Sequence, residues 1–240
     1  MLVRAFKTSI FKEGDDLVAF IVRHIPRLRE KSVFVVTSKI ISLSEGRTVK
    51  FESLKTCLRR QAKEKLICKE SDFAMPTKYV WLTIKDGVVM SSAGIDESNG
   101  NGKLILLPKD SYKFAKLLRK SLQKKYKIKN LGVLITDSRT IPLRAGVIGM
   151  ALGYAGFKGI KDYRNKPDIF KRKFHFSRTD VADGLAAAAV LVMGEGREQT
   201  PLAVIESAPI EFCDKVSRKE LKIDLKDDMY RPLFSKLSKK

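Results

Sequence analysis

Three acidic residues occupy positions where a carboxylate could take part in chemistry. Asp96 lies in a polar loop at residues 94–99, and Asp137 directly follows a predicted apolar strand over residues 131–136. Glu195 follows an alanine-rich helix, at the end where the helix dipole is negative and a carboxylate needs a compensating cation. Three oxygen ligands from separate segments suit Mg²⁺ or Mn²⁺ bound together with phosphate oxygens. A turn former, a cap and a solvated side chain would explain the same residues, so the residues alone make the metal site a hypothesis.

The standard motifs of nucleotide binding and nucleophilic catalysis are absent from the sequence. Glycines recur at positions 146, 149, 153, 156 and 159, but their spacing matches neither the P-loop nor the dinucleotide-binding pattern. Close packing of backbones is therefore the role we expect for them. His24 and His175 form no recognisable catalytic arrangement with a serine, cysteine or aspartate, and both are expected to be structural. A nucleotide would have to bind on a different scaffold.

The balance of charge is the unusual feature of the composition. Lysine and arginine number 48 against 27 acidic residues, which gives a formal net charge of +21. A field of this sign attracts polyanions, such as nucleotides, polyglutamates, nucleic acid or an acidic membrane, without choosing among them. A general bias toward lysine in the source proteome explains the charge equally well.

One predicted helix, over residues 111–126, carries much of this positive charge. Its apolar face is assigned to Phe114, Leu117, Leu118 and Leu122, and the remainder is basic through Lys113, Lys116, Lys120, Lys124 and Lys127. An amphipathic helix with a solvated basic face is the favoured interpretation. A docking face for nucleic acid is the alternative, although no aromatic side chains lie between the exposed lysines to stack on single-stranded bases.

The sequence favours a cytoplasmic protein that does not span a membrane. Its longest apolar run, residues 185–193, is too short to cross a bilayer, and the amino terminus has no secretory signal. The three cysteines, Cys57, Cys68 and Cys213, have no disulfide or zinc spacing, so buried thiols in a reducing compartment are expected.

Hydrophobic periodicity predicts strands interspersed with helices, which is a mixed α/β or α+β fold. Strands are predicted over residues 2–8, 32–37, 79–84, 88–90, 103–107, 131–136 and 201–206, with a hairpin turn at 85–87. Helices are predicted from a cap at residues 13–15 to about residue 30, and over residues 51–67, 111–126 and 181–193. Residues 1–214 are predicted to form a catalytic region, which could contain two subdomains, and residues 215–240 a basic and peripheral extension.

Several segments, taken in order, resemble the coenzyme F420 gamma-glutamyl ligase family. They are TSKIIS at 37–42 with EGR at 45–47, GIDESN at 94–99, TDS at 136–138, and MGE at 193–195. Pro142, Arg144 and Gly146 continue the match, as do Ala182-Asp183 and Leu185-Ala186. The resemblance extends from residue 1 to about 210, and the GIDESN and TDS segments are specific when they occur together.

The resemblance implies an amide-forming ligase, with homodimeric assembly as in the family. GTP would phosphorylate a carboxylate of the acceptor, and the amine of L-glutamate would attack the acyl phosphate, with Mn²⁺ or Mg²⁺ on the phosphates. By position, the family's metal ligands correspond to Asp96, Asp137, Ser138 and Glu195. Its nucleotide contacts correspond to Ser38, Lys39, Asn99 and the early segment Ser9, Ile10, Phe11 and Lys12, and Arg144 is assigned with them.

The sequence departs from the family pattern beside the presumed substrate pocket. Thr8-Ser9 replaces a Leu-Pro pair, Leu43 stands where the family often has a lysine, and residues 139–142 (RTIP) replace Phe-Gly-Arg-Pro. Arg139 could stack on a planar ring or pair with an acceptor carboxylate. The acceptor is therefore expected to be either F420-0 or a folate. A non-catalytic nucleic-acid-binding homologue is a further alternative, against which the intact acidic triad argues.

Overall fold

The computed structural model describes residues 1–50 and 56–234, and over these residues the fold is mixed α/β. In chain order the elements are β1 (Leu2–Phe6), α1 (Leu17–His24), β2 (Ser32–Thr37), α2 (Ser38–Ser44), β3 (Thr48–Lys50), α3 (Thr56–Glu70), β4 (Phe73–Pro76), β5 (Trp81–Lys85), β6 (Val88–Ser91), β7 (Lys103–Ile105), α4 (Ser111–Tyr126), β8 (Leu131–Thr140), β9 (Val147–Ala155), β10 (Ile160–Asp162), β11 (Arg178–Asp180), α5 (Val181–Met193), β12 (Leu202–Glu206) and α6 (Arg231–Phe234). The predicted fold class is confirmed. Among the described helices, none is long and apolar enough to cross a membrane.

The central element is a five-stranded sheet with the order β1-β12-β2-β8-β9. Strands β2 and β8 run parallel in the middle of the sheet, and the other neighbours are antiparallel. β2 is buried along nearly its whole length because both faces of the sheet are covered by helices. The carboxyl ends of β2 and β8 therefore meet at one edge, which is the usual place for a site in such sheets.

Strand β8 is longer than its apolar run predicts. Residues 131–136 are buried, as expected, but the strand continues to Thr140 because β9 provides antiparallel partners for it. Asp137 therefore lies within the strand, opposite Met150, and the prediction that it follows the strand was wrong. The pairing shifts register between Ile135 and Thr136, immediately before this residue.

Helices α1 and α4 cover one face of the sheet. Their buried side chains join alternate residues of β2, β8 and β12 in one apolar cluster. Helix α1 ends at His24 rather than near residue 30, because Pro26 disfavours helical backbone at the residue before it and cannot continue the helix. Helix α4 is confirmed with Asp110 as its N-cap, but Leu117 is 54% exposed and Arg119 is buried instead. Arg119 is retained inside because it donates to the Leu131 carbonyl and pairs with Asp214.

Helix α5 covers the opposite face with a small-residue surface. Ala182, Ala186 and Ala189 are fully buried against the other set of alternate strand residues. β9 approaches this helix so closely that a Cβ on Gly149 would lie 2.4 Å from the Ala186 carbonyl oxygen. Close backbone packing, the expected role of the glycine series, is confirmed at this position.

A second, smaller layer holds the polar loop at residues 94–99. Strands β4, β5 and β6 form an antiparallel sheet, with the predicted hairpin turn confirmed between β5 and β6, and β3 pairs with β7. α3 packs here through Ile67 and the partly buried Leu66. The predicted start of this helix, including Leu54, lies outside the described residues. Cys68 is exposed and Cys213 partly buried, so the prediction of buried thiols was wrong for Cys68, which lies on the solvent side of α3.

The segment after β12 packs against the main body. Val216 and Leu221 contact the apolar cluster under α5, and Glu220 accepts a hydrogen bond from the buried Tyr154 hydroxyl at 2.6 Å. Arg218 pairs with Asp110 at the start of α4. This part of the predicted extension is therefore not peripheral, because it supplies core contacts. The division of the chain at residue 214 stays a prediction.

Candidate active site

The parallel pair β2 and β8 brings two sequence segments of interest together. Thr37 is in register with Thr136, so Ser38 and Lys39 at the start of α2 lie beside the continuation of β8. Ser38 is buried, whereas Lys39 extends toward the neighbouring loop. The β2–α2 turn and the polar end of β8 therefore form one wall of a candidate site.

Lys39 holds the polar loop against this wall. Its ammonium Nζ lies 2.8 Å from Asp96 Oδ2 and donates to the Ser98 carbonyl at 3.0 Å and to Ser98 Oγ at 3.1 Å. Asp96 also accepts hydrogen bonds from the Ser98 amide and hydroxyl, at 2.7 and 2.8 Å. Burial alone would raise the pKa of Asp96, but the hydrogen bonds from Lys39 and Ser98 outweigh it and lower that pKa. Asp96 is therefore an anion that is already neutralised by Lys39.

Asp137 occupies a less favourable electrostatic environment. Removal from water raises its pKa to about 7, and the negative charges of Asp96 and Glu195 act in the same direction. The Ser138 amide and the Lys39 ammonium oppose the shift without cancelling it. A carboxyl group with this pKa is partly protonated near neutral pH, and a bound cation would favour its charged form.

Glu195 is brought to β8 by the end of α5. The helix ends at Gly194, whose positive φ of 79° turns the chain, and Glu195 follows. The Ser138 hydroxyl donates to Glu195 Oε2 at 3.0 Å. At this end of the sheet, Ser138 of β8 is therefore hydrogen-bonded to Glu195, with Asp137 next to it in the strand. Asp96, in the polar loop, is paired with Lys39.

The chemistry of these side chains fits a hard divalent cation, although they are not assembled around one point. Carboxylate and hydroxyl oxygens from Asp96, Asp137, Ser138 and Glu195 are donors that Mg²⁺ and Mn²⁺ prefer. Among the side chains that the structure describes, no group of three His, Cys, Asp or Glu is close enough to hold a metal as it stands. Thr136 Oγ1, next to Asp137, is buried and has no hydrogen-bond partner among the described residues. A buried hydroxyl of this kind calls for a water or ligand.

The early segment assigned to the nucleotide lies near the same edge. The Thr8 amide donates to the Gln199 carbonyl, and the Thr37 amide donates to the Pro201 carbonyl, so residues 8 and 37 are both tied to the chain after Glu195. His24 Nε2 accepts from the Ser9 amide at 3.1 Å, and its Nδ1 lies 2.9 Å from the Phe20 carbonyl. His24 was assigned no such role from the sequence, because its spacing from residue 9 carries no signal.

The individual side chains of this segment differ in what they can contact. Phe11 is buried against Phe20, with ring centroids 4.9 Å apart, which leaves only its backbone for a ligand. Ile10 is 73% exposed, and Ser9 and Lys12 are also exposed. Their predicted nucleotide contacts remain predictions.

Two further predicted contacts lie on exposed loops. Asn99 has a left-handed backbone, with φ of 56°, at the tip of the loop that contains Asp96. Arg144 is exposed between β8 and β9, and no carboxylate in the described part of the chain pairs with it. Both are accessible to a ligand, and the structure does not bring Arg144 into a hydrogen bond with the other candidate residues.

Two departures from the family pattern acquire structural explanations. Leu43 packs against the apolar cluster of α1 and α4. The Arg139 guanidinium donates to Asp183 Oδ2 at 2.9 Å, while Asp183 Oδ1 accepts from the Ala151 amide at 2.9 Å. Arg139 is therefore bound to the first turn of α5 and not presented as a free cation, which sequence reasoning did not anticipate because the two residues are distant in the chain.

The carboxyl ends of two parallel strands bring carboxylates, a hydroxyl and a lysine together, and side chains of these types can bind cations and phosphates. The model of the F420-0:Gamma-glutamyl ligase family matches residues 5–207 of this chain. The chain therefore belongs to this family, and its class is that of a ligase. The predicted family is confirmed.

Relatives with assigned names match over nearly their whole length. The chain is 30% identical over 229 residues to the coenzyme F420:L-glutamate ligase of Methanococcus maripaludis strain C7, covering 90% of this chain and 91% of that protein. It is 32% identical over 234 residues to the enzyme of the same name from Archaeoglobus fulgidus, covering 92% of each. The corresponding protein of Methanopyrus kandleri is 31% identical over 214 residues, with 84% of each chain covered.

Proposed function

We propose that this protein is a GTP- and divalent-metal-dependent ligase that joins L-glutamate to a carboxylate of an F420-0-type acceptor. The product is a gamma-glutamyl amide, and the acceptor carboxylate is activated as an acyl phosphate by transfer of the γ-phosphoryl group of GTP. The amine of glutamate then attacks the acyl carbon, the C–N bond forms, and inorganic phosphate leaves.

The observation that supports this proposal best is the arrangement at the sheet edge. Three carboxylates from separate elements, Asp96, Asp137 and Glu195, interact electrostatically there, and Lys39 is the cation that offsets them. Three interacting carboxylates repel each other and are unfavourable for the fold alone. They are suited to a site where cations and phosphates bind together.

The chain's own side chains have separable tasks in this proposal. Lys39 lies beside the carboxylates of the proposed metal site. Its ammonium group is proposed to contact a phosphate there once it has separated from Asp96. Ser138 orients Glu195 by a hydrogen bond at 3.0 Å. Ser9, Ile10, Phe11, Lys12, Ser38 and Asn99 are proposed to contact the nucleotide, and Arg144 to contribute a cation from the β8–β9 loop.

Asp96, Asp137, Ser138 and Glu195 are proposed as the ligands of Mn²⁺ or Mg²⁺. Bound there, the metal would neutralise charge on the phosphate oxygens during transfer. The raised pKa of Asp137 supports this assignment, because a cation lowers the free energy of its charged form.

Two candidates are proposed for the acceptor. The description of the family supports F420-0, and the names of the relatives support an acceptor of the coenzyme F420 type. A folate is the second candidate, because residues 139–142 differ from the family pattern beside the site. Both end in a carboxylate that can be activated and glutamylated, so one site chemistry serves either.

We also propose that the protein acts as a homodimer. The arm between β10 and β11 exposes three large apolar side chains, Ile169 (90%), Phe170 (78%) and Phe176 (90%). Exposed apolar residues in a group are typical of association surfaces. Sedimentation at micromolar concentration would test this, and Phe170→Lys with Phe176→Lys is expected to give a monomer.

The proposed activity is tested by incubation of the protein with glutamate, Mn²⁺ or Mg²⁺, a nucleotide and a panel of acceptors. GTP and ATP are supplied separately, and the products are counted by mass spectrometry. The expected result is an acceptor heavier by one or more glutamyl residues, formed with GTP only when metal is present. Absence of glutamylation for every acceptor, with a folded protein, would overturn the proposal.

A further inference from the structure

A basic cavity lies at the base of the β10–β11 arm, apart from the candidate active site. Its volume is about 720 Å³, and the side chains that line it include Lys158, Lys161, Arg164, Lys166 and Arg178. None of these residues belongs to the segments that resemble the family's motifs. We propose that this cavity binds a chain of carboxylates, namely the gamma-glutamyl tail of the acceptor or product, and this inference rests on the proposed function.

Three of the five cations are available for a ligand. Lys158 is engaged by Glu211 at 2.6 Å, and Arg164 is held by Asp162 through three hydrogen bonds. Lys161, Lys166 and Arg178, in contrast, have no carboxylate within ion-pair distance anywhere in the described residues. Several unpaired cations on one concave surface favour the binding of an anionic ligand. Lysines on the convex surface of a helix are surrounded by solvent and favour it less.

Two of these cations are held in place by an aromatic ring. The ammonium groups of Lys161 and Lys166 lie 5.2 and 5.9 Å from the ring centroid of Tyr163, and Phe174 packs on that ring at 6.3 Å. Cation–π contacts reduce the freedom of the lysine side chains without consuming their charge. The two ammonium groups are therefore positioned before a ligand arrives.

The rest of the lining distinguishes a glutamyl chain from a polyphosphate. Asp162, Glu211 and Glu220 also line the cavity, and Ile160, Val181 and Ile210 supply apolar surface. A gamma-glutamyl chain alternates carboxylates with amide N–H donors and methylene groups, so it complements cations, carboxylates and apolar surface at once. A polyphosphate has no N–H donor to offer these three carboxylates, so they would repel it without compensation.

Helix α5 connects this cavity with the candidate active site. Val181, the first residue of the helix, lines the cavity, and Asp183 accepts a hydrogen bond from Arg139 at 2.9 Å. Arg139 is adjacent in sequence to Ser138, which donates to Glu195. Val181 and Glu195 lie at opposite ends of this 13-residue helix, about 20 Å apart at 1.5 Å per residue, so a tail of several gamma-glutamyl units is needed to extend from the β8 edge into the cavity.

The decisive measurement is binding of free tri-gamma-glutamate to the intact protein by calorimetry, at low and physiological salt. The double variant Lys161→Gln with Arg178→Gln is expected to bind it about a hundredfold more weakly than the unmodified protein, because two charge-assisted contacts, each worth about tenfold, are lost. The matched control Lys120→Gln with Lys124→Gln removes the same charge from α4 and is expected to retain affinity. Both residues of the test variant are exposed, so the fold should tolerate the change, and Lys166→Gln alone is a second variant.

Kinetics with acceptors of different tail length provide the second measurement. The double variant is expected to raise KM about a hundredfold for acceptors that carry a tail of several glutamates, while KM for the acceptor without a tail and kcat for both stay unchanged. Equal tri-gamma-glutamate binding by the test and control variants would overturn the inference, as would stronger binding of inorganic triphosphate than of the peptide. If no acceptor is glutamylated but the peptide binds as expected, the proposed function fails and the anion site stands.

Discussion

Lys39 Nζ lies 2.8 Å from Asp96 Oδ2, so the lysine assigned to the nucleotide neutralises the carboxylate assigned to the metal. Under the proposed function, a divalent cation and this ammonium group would compete for the same oxygen atoms. Binding of metal and nucleotide would then separate Lys39 from Asp96 and leave its ammonium group able to contact a phosphate.

Lys39→Met is therefore expected to change metal and nucleotide binding in opposite directions. Without nucleotide, Mn²⁺ affinity should rise about three- to tenfold because the competing ammonium is gone, whereas GTP affinity should fall about tenfold. Paramagnetic Mn²⁺ titration and GTP calorimetry measure the two effects. Lys63→Met is the matched control, since Lys63 pairs with the neighbouring Glu97 at 2.7 Å. Parallel losses of both affinities in Lys39→Met would contradict the competition.

Asp137 makes the stability of the metal-free protein depend on pH. Its pKa is raised to about 7 in the folded state, so the folded form favours the protonated carboxyl. The resulting stability is fully present below the unfolded pKa near 4 and is lost as pH rises through 7. Urea unfolding in the presence of a chelator measures this effect. The contribution of Asp137 is expected to make the free energy of unfolding lower by about 2 kcal/mol at pH 8 than at pH 5.

Asp137→Asn should remove that part of the pH dependence and also abolish GTP turnover. Asparagine keeps the shape of the side chain but carries no charge, so the repulsion from Asp96 and Glu195 disappears. Circular dichroism during urea titration and a phosphate-release assay give the two readouts. An asparagine variant that hydrolyses or transfers from GTP at the normal rate would remove Asp137 from the mechanism.

Only part of the order of elements could be predicted from the sequence, namely the elements that are encoded locally. Helix α2 and strands β3, β4, β9, β10 and β11 were not predicted. The hairpin at residues 85–87, the Asp110 cap of α4 and the end of α5 at Gly194 each follow from a few neighbouring residues. The length of β8 could not be predicted, because residues 137–140 are polar and only pairing with β9 makes them a strand.

The candidate site could likewise be predicted only in part from the sequence. The acidic residues stood out by type and position, and their relationship followed only from the family resemblance. Contacts between distant residues, such as Lys39 with Asp96, Arg139 with Asp183 and His24 with Ser9, leave no periodic signal in a single sequence. They depend on tertiary packing.

From the family pattern alone, Leu43→Lys would be expected to add a phosphate contact and to tighten GTP binding by about 1–2 kcal/mol. Because Leu43 packs against the apolar cluster of α1 and α4, the structure leads to a different expectation. The substitution should lower the free energy of unfolding by about 1–2 kcal/mol and leave GTP affinity no better. Leu43→Met, which keeps the apolar volume, serves as the control. Tighter GTP binding by Leu43→Lys would instead show that a lysine at position 43 can contact a phosphate.

The basic face of α4 provides a test between a ligase and a nucleic-acid-binding protein. Lys116, Lys120 and Lys124 are exposed and make no ion pairs with described residues. Changing all three to glutamate should leave glutamate ligation within about twofold of normal. Binding to duplex nucleic acid should be weak, fall steeply with salt and show no sequence preference. Loss of ligation in this variant, with the fold intact, would show that α4 serves the reaction or the dimer.

The last prediction concerns Arg139 and the choice of acceptor. This side chain could in principle stack on a planar acceptor or pair with its carboxylate, but in the structure its guanidinium is bound to Asp183, which also holds the Ala151 amide. The side chains of Arg139 and Asp183 are 34% and 22% exposed, so the pair is expected to contribute about 1 kcal/mol to stability. Arg139→Gln should therefore lower the free energy of unfolding by about that amount, and Asp183→Asn combined with it should cost little more than the larger of the two single changes.

In a competition with equal concentrations of F420-0 and a folate, the ratio of glutamylated products should be the same for the unmodified protein and for Arg139→Gln, because the side chain positions α5 rather than the acceptor. A change in that ratio of more than about tenfold would show that Arg139 leaves Asp183 to contact the acceptor, since one charge-assisted contact is worth about that factor.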